Sequence, residues 1–538
     1  MVDVAAPASF NFADLWEMAA DAVPDRTALV CGANRRTYGE LEGRSNRLAH
    51  HLEGLGIGPG DHVAIYLENC PEYLETMLAC YKIRAVPVAV NYRYVAGELQ
   101  YLLDNSDAIG VIVAPKYATV LDGLRPELPK VRWTLATGAP YEDALAAASP
   151  TRPERRDRSG EDHYVLYTGG TTGLPKGVVW RQEDAFFACL GGGDPMRLQG
   201  EVTTPAELVE RIGGGFTYFA LAPLMHAAAQ WTSFMWFFVG ATVVLMDGSL
   251  DPEAVWATVE REGVNALTVV GDAVAKPLLD CWDANPDRWD VSSLFAISNG
   301  GAPMSTGCKA RILERFPSAV VNDGFGSSEA GIQGSSRLGA AEASSAGTAA
   351  VRFTTAGAKP FLVLDDDDRP VEPGSGVVGR IVSGGRLPLG YHNDPEKTAA
   401  SLIEVDGQRW LVTGDLATVA EDGSVELLGR GSVSINTGGE KVHPEEVESV
   451  LHGHPAVADV LVVGVPDERW GSAVTAVVQP TAGSAPVLDD LVAHCKEHLA
   501  GYKAPKHLVV VDRVVRSPAG KADYRWALDT ATKAVSGS

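Results

Sequence analysis

The stretch YTGGTTGLPKGV, Tyr167 to Val178, crowds glycines, three threonines and one lysine into twelve residues. Glycine reaches backbone conformations closed to other residues, so such a run marks turns, close backbone approach, or a nest of amides around an anion. Phosphate is the first candidate. The spacing separates it from better-known loops. A Walker loop places Gly-Lys-Ser/Thr together, whereas Leu174 and Pro175 stand between Gly173 and Lys176, and Gly169, Gly170 and Gly173 miss the Gly-x-Gly-x-x-Gly pattern. What remains is chemical. Thr168, Thr171 and Thr172 offer hydroxyls, the glycines expose amides, and Lys176 supplies a compact cation. A flexible surface loop is the plain alternative, and the rest of the chain argues against it.

At 538 residues the chain is too long for one compact core, and 46% hydrophobic with 21% charged residues is ordinary globular composition. A formal charge of −24 disfavours nucleic acid, whose nonspecific binding needs a basic surface exchanging counterions. It leaves a small polyanion such as ATP open, because local amides and a few cations decide binding in a pocket. Cys31, Cys70, Cys80, Cys189, Cys281, Cys308 and Cys495 are scattered without zinc spacing, which predicts reduced thiols and a cytoplasmic protein. The start, MVDVAAPASFNFADLW, has no basic region followed by an apolar stretch, so no secretory signal is expected. The most membrane-like run, residues 231–246, is shorter than the roughly 20 residues a span needs. Gly240 divides it into an expected helix and a β-branched strand, leaving at most peripheral membrane contact.

Helical and strand-like segments alternate from the start. Leu41, Leu48, Leu52 and Leu55 recur at helical spacing, and HVAIYLE follows after a Gly-Pro-Gly turn. VPVAVN, AIGVIVAP, ATVVLM and ALTVV add short buried strands, the pattern of an α/β fold with largely parallel sheets. The small residues of 334–350 predict a mobile loop, and GVVGRIVSGG and SVELLGR a small β-rich unit after it. Beyond residue 430 the pattern becomes a compact α+β unit. The reading is therefore α/β: a large N-terminal domain, 1–429, of two α/β subdomains plus a small β-rich subdomain, then a small mobile α+β C-terminal domain, 430–538.

Six further signals follow in order: APLMH (222–226), SNGGAPMS (298–305), NDGFGSSEAG (322–331), TGDLA (413–417), GRGSVSINTGGEKVHPEEVE (429–448) and SPAGKADYR (517–525). Together with the opening loop they resemble the adenylate-forming superfamily, which includes acyl-CoA synthetases, luciferases and peptide-synthetase adenylation domains, over nearly the whole chain. The resemblance implies ATP, Mg2+ and CoA as cofactors. The Thr-Gly loop would hold the β- and γ-phosphates. It puts Glu329 on the magnesium, whose hardness suits a carboxylate oxygen, and assigns Asp323, Gly324, Gly326, Ser327 and Ser328 to the same nucleotide site. Gly301, Ala302 and Pro303 would lie along the adenine with Phe325 on its face. Asp415 would accept hydrogen bonds from the ribose diol, with Arg430 beside it. Lys521 matches the C-terminal lysine that bridges the attacking carboxylate and the α-phosphate, Lys176 takes a supporting role, and His226 would line the acyl pocket and the CoA path.

Ser432 stands where many relatives carry Lys or Asp at the pivot between the two domains, so a swivel there is inferred and the role of Ser432 is open. The stretch 435–448 is similar to the CoA-ligase form of the hinge, in which Gly438 and Gly439 meet the pantetheine arm. YTGGTTGLPKGVVWRQED and GKADYRW resemble actinobacterial ligases of fatty acids and steroid side-chain carboxylates; Ala227, Ala228 and Ala229 either leave volume for such an acid or simply pack a helix. The expected activity is thus an AMP-forming acyl-CoA synthetase acting on a hydrophobic carboxylic acid. The alternatives are a carrier-protein or amine acceptor, or a non-catalytic nucleotide-binding or fatty-acid transport protein of the same fold. Whether the chain forms a homodimer is left open.

Overall fold

The computed structural model describes residues 9–154, 157–169, 174–301, 304, 306–339, 352–355, 360–365, 367–430, 435–442, 444–515 and 523–536. The leucine periodicity near the N-terminus forms the helix Tyr38–Gly54, which opens on a capping box. Its Glu40 N–H donates to Thr37 Oγ1 at 3.1 Å, and Thr37 N–H donates back to Glu40 Oε2 at 2.8 Å. Leu41, Leu48 and Leu52 are buried beneath it.

The strand that follows, His62–Tyr66, lies inside a four-stranded parallel sheet between Val86–Ala89 and Ala108–Val113, with Trp133–Ala136 at the edge. Val63 and Ile65 enter one apolar cluster, and Ala64 and Tyr66 the other. A sheet buried on both faces reads as a continuous apolar run, which is why its strands were visible in the sequence.

The second sheet has fourteen strands. Its parallel half runs from Thr27–Cys31 through Thr242–Leu245, Thr217–Ala220, Ala266–Val269 and Ala296–Asn299 to Val320–Ser327. The expected break at Gly240 is present. The helix Ala227–Phe237 ends, Gly240 takes φ +77°, and the strand Thr242–Leu245 begins. Among the described residues no helix is long and apolar enough to cross a membrane, and all seven cysteines are free thiols.

One expectation is corrected. Residues 334–338 are not loop but the end of the strand Gly331–Leu338, paired with Val320–Ser327 on one side and Arg352–Thr355 on the other. Small side chains suit this position, because Gly334 lies opposite both Phe325 and Thr355. Residues 340–350 of the same stretch lie outside the described residues. The strand Arg352–Thr355 in turn pairs with Val425–Arg430, so the β-rich unit is hydrogen-bonded into the main sheet rather than separate from it.

The small C-terminal domain is a five-stranded mixed sheet built on the long pair Val457–Asp467 and Gly471–Pro480. Val460 and Val462 pack with Val447, Leu451, Leu491 and Cys495 of the helices Pro444–Leu451 and Leu488–His498. Leu461, Val463 and Val465 face the other way, against Ala527 and Ala531 of the helix Tyr524–Ser536.

A buried ionic network ties the N-terminal helices together. Lys82, 1% exposed, sits 2.7 Å from Glu17 and 2.9 Å from Glu42, with Arg158 3.0 Å from Glu17 and Arg152 2.7 Å from Glu42. Burial alone would raise the Glu17 carboxyl, but Lys82 and Arg158 overcome it and bring its pKa from 4.5 to about 2. A depressed folded-state pKa contributes stability that is fully present above about pH 4.5 and is lost as the pH falls toward 2. The shift corresponds to something on the order of 3 kcal/mol. Glu17→Gln is therefore expected to lower stability at neutral pH and to flatten its decline between pH 5 and pH 2, followed by urea midpoints. An unchanged slope would place that titration elsewhere.

Candidate active site

The Thr-Gly stretch is the tip of an antiparallel hairpin, His163–Gly169 against Pro175–Arg181, in which Thr168 faces Lys176 and Gly169 faces Pro175. Gly170, Thr171, Thr172 and Gly173 lie outside the described residues. Gly177 has to be glycine for the hairpin to lie as it does, since a Cβ there would stand 2.7 Å from the Tyr167 ring.

Two contacts join this hairpin to the Glu329 segment. Trp180 Nε1 donates to the Ser328 carbonyl at 2.9 Å, and the Tyr391 hydroxyl donates to Glu329 Oε1 at 3.3 Å. Tyr391 also lies under Lys176, whose Nζ is 5.8 Å from the ring centroid and 3.1 Å from Asp394. Lys176 and Glu329 thus converge on the short segment Gly390–Asp394. Ser327 fixes the turn by accepting the Ala330 N–H at 3.1 Å. Gly326 lies so close to the returning strand that a Cβ would stand 2.1 Å from the Gly331 carbonyl oxygen.

The strand leading into this turn carries Asp323, Gly324 and Phe325. Asp323 accepts from Asn299 Nδ2 at 2.8 Å and pairs with Lys309, so both its oxygens are engaged within the protein. Phe325 packs against the cluster of Val363, Ile381 and Ala417, edge-on to Phe361 at 6.1 Å. Gly301 follows the neighbouring strand Ala296–Asn299 with φ +85°, while Ala302 and Pro303 lie outside the described residues. Asp415 and Arg430 are cross-strand partners between Gln408–Val419 and Val425–Arg430. Ser432 and Lys521 also lie outside the described residues.

His226 immediately precedes the helix Ala227–Phe237 but does not cap it; its Nε2 is 3.2 Å from Glu440 Oε1. Ala229 is buried, and Ala227 and Ala228 are half-buried at the same helix start. Glu440 belongs to the C-terminal domain and follows Gly438 and Gly439, which turn the chain with φ +58° and +86°. Arg93 pairs with the same carboxylate. Burial opposes the charge on Glu440, but His226, Arg93 and Lys503 outweigh it and hold its pKa below the usual carboxylate value. Gly439 touches the large domain directly, for a Cβ there would be 2.7 Å from Val270 Cγ1.

A second clamp joins the domains. Lys503, 4% exposed, lies 2.5 Å from Glu98 of the large domain and 2.8 Å from Glu446 of its own, while Ala500 N–H donates to Glu98 at 3.1 Å. Burial opposes the ammonium, and the two carboxylates raise its pKa regardless. Sequence reasoning missed Arg93, Glu98, Trp180, Tyr391, Glu440 and Lys503. Glu440 and Trp180 stood inside quoted stretches; Arg93, Glu98, Tyr391 and Lys503 did not, and each acts through a partner remote in sequence.

A Thr-Gly hairpin, an acidic turn beside it, and a small domain whose Glu440, next to a Gly-Gly turn, meets a histidine accord with an adenylate-forming enzyme. The chain belongs to the AMP-binding enzyme family: that family's model matches residues 16–392, and the model of the AMP-binding enzyme C-terminal domain matches 446–521. It is 44% identical to a medium/long-chain-fatty-acid–CoA/3-oxocholest-4-en-26-oate–CoA ligase of Mycobacterium marinum over 96% of each chain. It is also 44% identical to a 3-oxocholest-4-en-26-oate–CoA ligase of Rhodococcus rhodochrous, over 97% of this chain and 96% of the other. Among solved structures, the amide bond synthetase McbA of Marinactinospora thermotolerans superposes with a TM-score of 0.81 at 25% identity, covering 96% of this chain and 99% of the other. A fatty acyl CoA synthetase of Mycobacterium tuberculosis gives 0.68 at 26% identity, covering 98% and 99%.

Proposed function

We propose that the protein is an AMP-forming acyl-CoA synthetase that activates a fatty acid or steroid side-chain carboxylate and passes it to CoA. The observation that carries this reading is the docking of the Gly438-Gly439 turn on Val270 with Glu440 on His226, which sets the small domain's turn beside the residue assigned to the acyl pocket. In the first step a carboxylate oxygen attacks the α-phosphorus of ATP and pyrophosphate leaves, giving acyl-AMP. In the second the CoA thiol attacks the acyl carbonyl, its proton is lost, and AMP leaves with the electron pair of the broken C–O bond. The hairpin tip holds the outer phosphates, Asp415 the ribose and Lys521 the transition state of the first step.

Glu329 fits a hard cation: it is a carboxylate at a turn pinned by the Trp180–Ser328 bond. Glu329 would hold Mg2+ there, and the ion would supply positive charge against the phosphates of ATP. Glu329→Gln is expected to raise the magnesium concentration needed for half-maximal pyrophosphate release; an unchanged titration at preserved activity removes Glu329 from the site.

The docked arrangement serves the second step, and the small domain, divided from the large one at 429/430, turns to present Lys521 for the first. Replacing Glu98 with Gln leaves Lys503 with one carboxylate instead of two in the docked form. Loss of a buried charged partner costs on the order of 2 kcal/mol, about thirtyfold in population. Thioester formation from acyl-AMP should slow accordingly in single-turnover assays, while pyrophosphate release stays near the parent rate. Equal slowing of both steps would contradict the clamp.

A cytoplasmic enzyme working on small molecules accords with the free thiols. The reading is tested with a panel of fatty, aryl and steroid acids assayed for AMP and pyrophosphate, with and without CoA. Release of both products that depends on the acid, with a thioester formed only when CoA is present, is the expected result. Acyl-AMP consumed by an amine or a carrier protein and not by CoA would replace it.

A further inference from the structure

The helix Leu488–His498 ends in the sequence AHCKEHL, residues 493–499, which spaces His494, Glu497 and His498 at i, i+3 and i+4. That spacing sets Glu497 and His498 each one turn from His494. One ligand atom from each lies within 4.8 Å of the other two. Cys495 points into the core and Lys496 lies against Gly501, so the face is left to the two imidazoles and the carboxylate.

His494 is also oriented. Its Nε2 is 3.0 Å from the Val450 carbonyl, at the end of the helix Pro444–Leu451. A carbonyl can only accept, so Nε2 carries the proton and Nδ1 keeps its lone pair for a cation. An imidazole held by its second nitrogen on a backbone carbonyl is the arrangement that fixes metal-binding histidines. His454 stands edge-on, 5.3 Å from the His494 ring, but accepts the Ala456 N–H on Nδ1 at 3.2 Å. Its own proton is therefore on Nε2, which makes it a wall of the site and not a ligand. The end of a helix carries partial negative charge, which further favours a cation there.

We propose that His494, Glu497 and His498 bind a borderline divalent metal ion of the Zn2+ type, outside the nucleotide site. Two imidazoles and a carboxylate suit Zn2+ and select against Mg2+, which prefers oxygen ligands. The site has a structural consequence, because Leu499 leads directly into Ala500 and Lys503, the residues that grip Glu98. A bound ion stiffens the helix end from which that docking segment departs.

The test uses the untagged full-length protein, stripped of metal and free of nucleotide, with millimolar Mg2+ present to occupy oxygen-ligand sites. Calorimetric titration with Zn2+ is expected to show one saturable site per chain. His498→Gln and Glu497→Gln should each weaken it by at least about tenfold, and His454→Gln by no more than about twofold. Zn2+ should raise the thermal midpoint of the parent but not of His498→Gln, whose midpoint without metal matches the parent's and shows that it folds. Absence of saturable binding, binding undiminished in the His498 and Glu497 variants, or equal loss in the His454 variant would overturn the proposal.

Discussion

Lys521→Ala is expected to cut acid-dependent pyrophosphate release by about 10²- to 10³-fold while leaving the protein folded. A positioned cation at a transition state where carboxylate and phosphate charge meet is worth roughly 3–4 kcal/mol. The fold should tolerate the change because the chain on either side is anchored without it. Asp523 N–H donates to the Val515 carbonyl at 3.3 Å, and the Tyr524 hydroxyl reaches Glu448 at 3.0 Å. Thioester formation from supplied acyl-AMP should fall far less, since the role proposed for Lys521 lies in the first step. Loss of both half-reactions to the same degree would contradict the assignment.

Gly439→Leu should have the opposite profile. At φ +86° a leucine is strained, and its Cβ would already stand 2.7 Å from Val270, before the rest of the side chain is placed. The Gly-Gly turn cannot then seat, and Glu440, the next residue, loses its register with His226 and Arg93. Misplacement by about 1 Å at a reacting centre costs on the order of a hundredfold. Consumption of pre-formed acyl-AMP on adding CoA should drop by that order, with the preceding pyrophosphate burst near the parent level. Consumption at the parent rate would move the CoA path elsewhere and favour another acceptor.

The sequence was most readable where physics is local. The leucines of Tyr38–Gly54, the double-sided apolar strand His62–Tyr66 and the break at Gly240 each follow from a period or a single residue's conformational freedom. Residues 334–338 read as loop because their small side chains answer to neighbours on both sides, and composition alone does not reveal neighbours. In the candidate site, Glu329 and the Thr-Gly hairpin were visible as motifs. Their connection through Tyr391 and Trp180 was not. The clamp was least visible, because Glu98 and Lys503 are 405 positions apart and each looks like an ordinary surface charge until the domains are docked.

The pairing of Arg352–Thr355 with Val425–Arg430 decides where this chain can be cut and recombined. A chimera that exchanges its C-terminal part with a relative's at any point between 352 and 430 would pair strands of two parents within one sheet. The register would have to survive the mismatch, and for a junction before 417 so would the packing of Phe325 on Ile381 and Ala417. A junction just after Arg430 leaves that sheet to one parent. Such hybrids should fold, and whether they turn over then depends on how well the foreign C-terminal domain complements Glu98, Arg93 and His226.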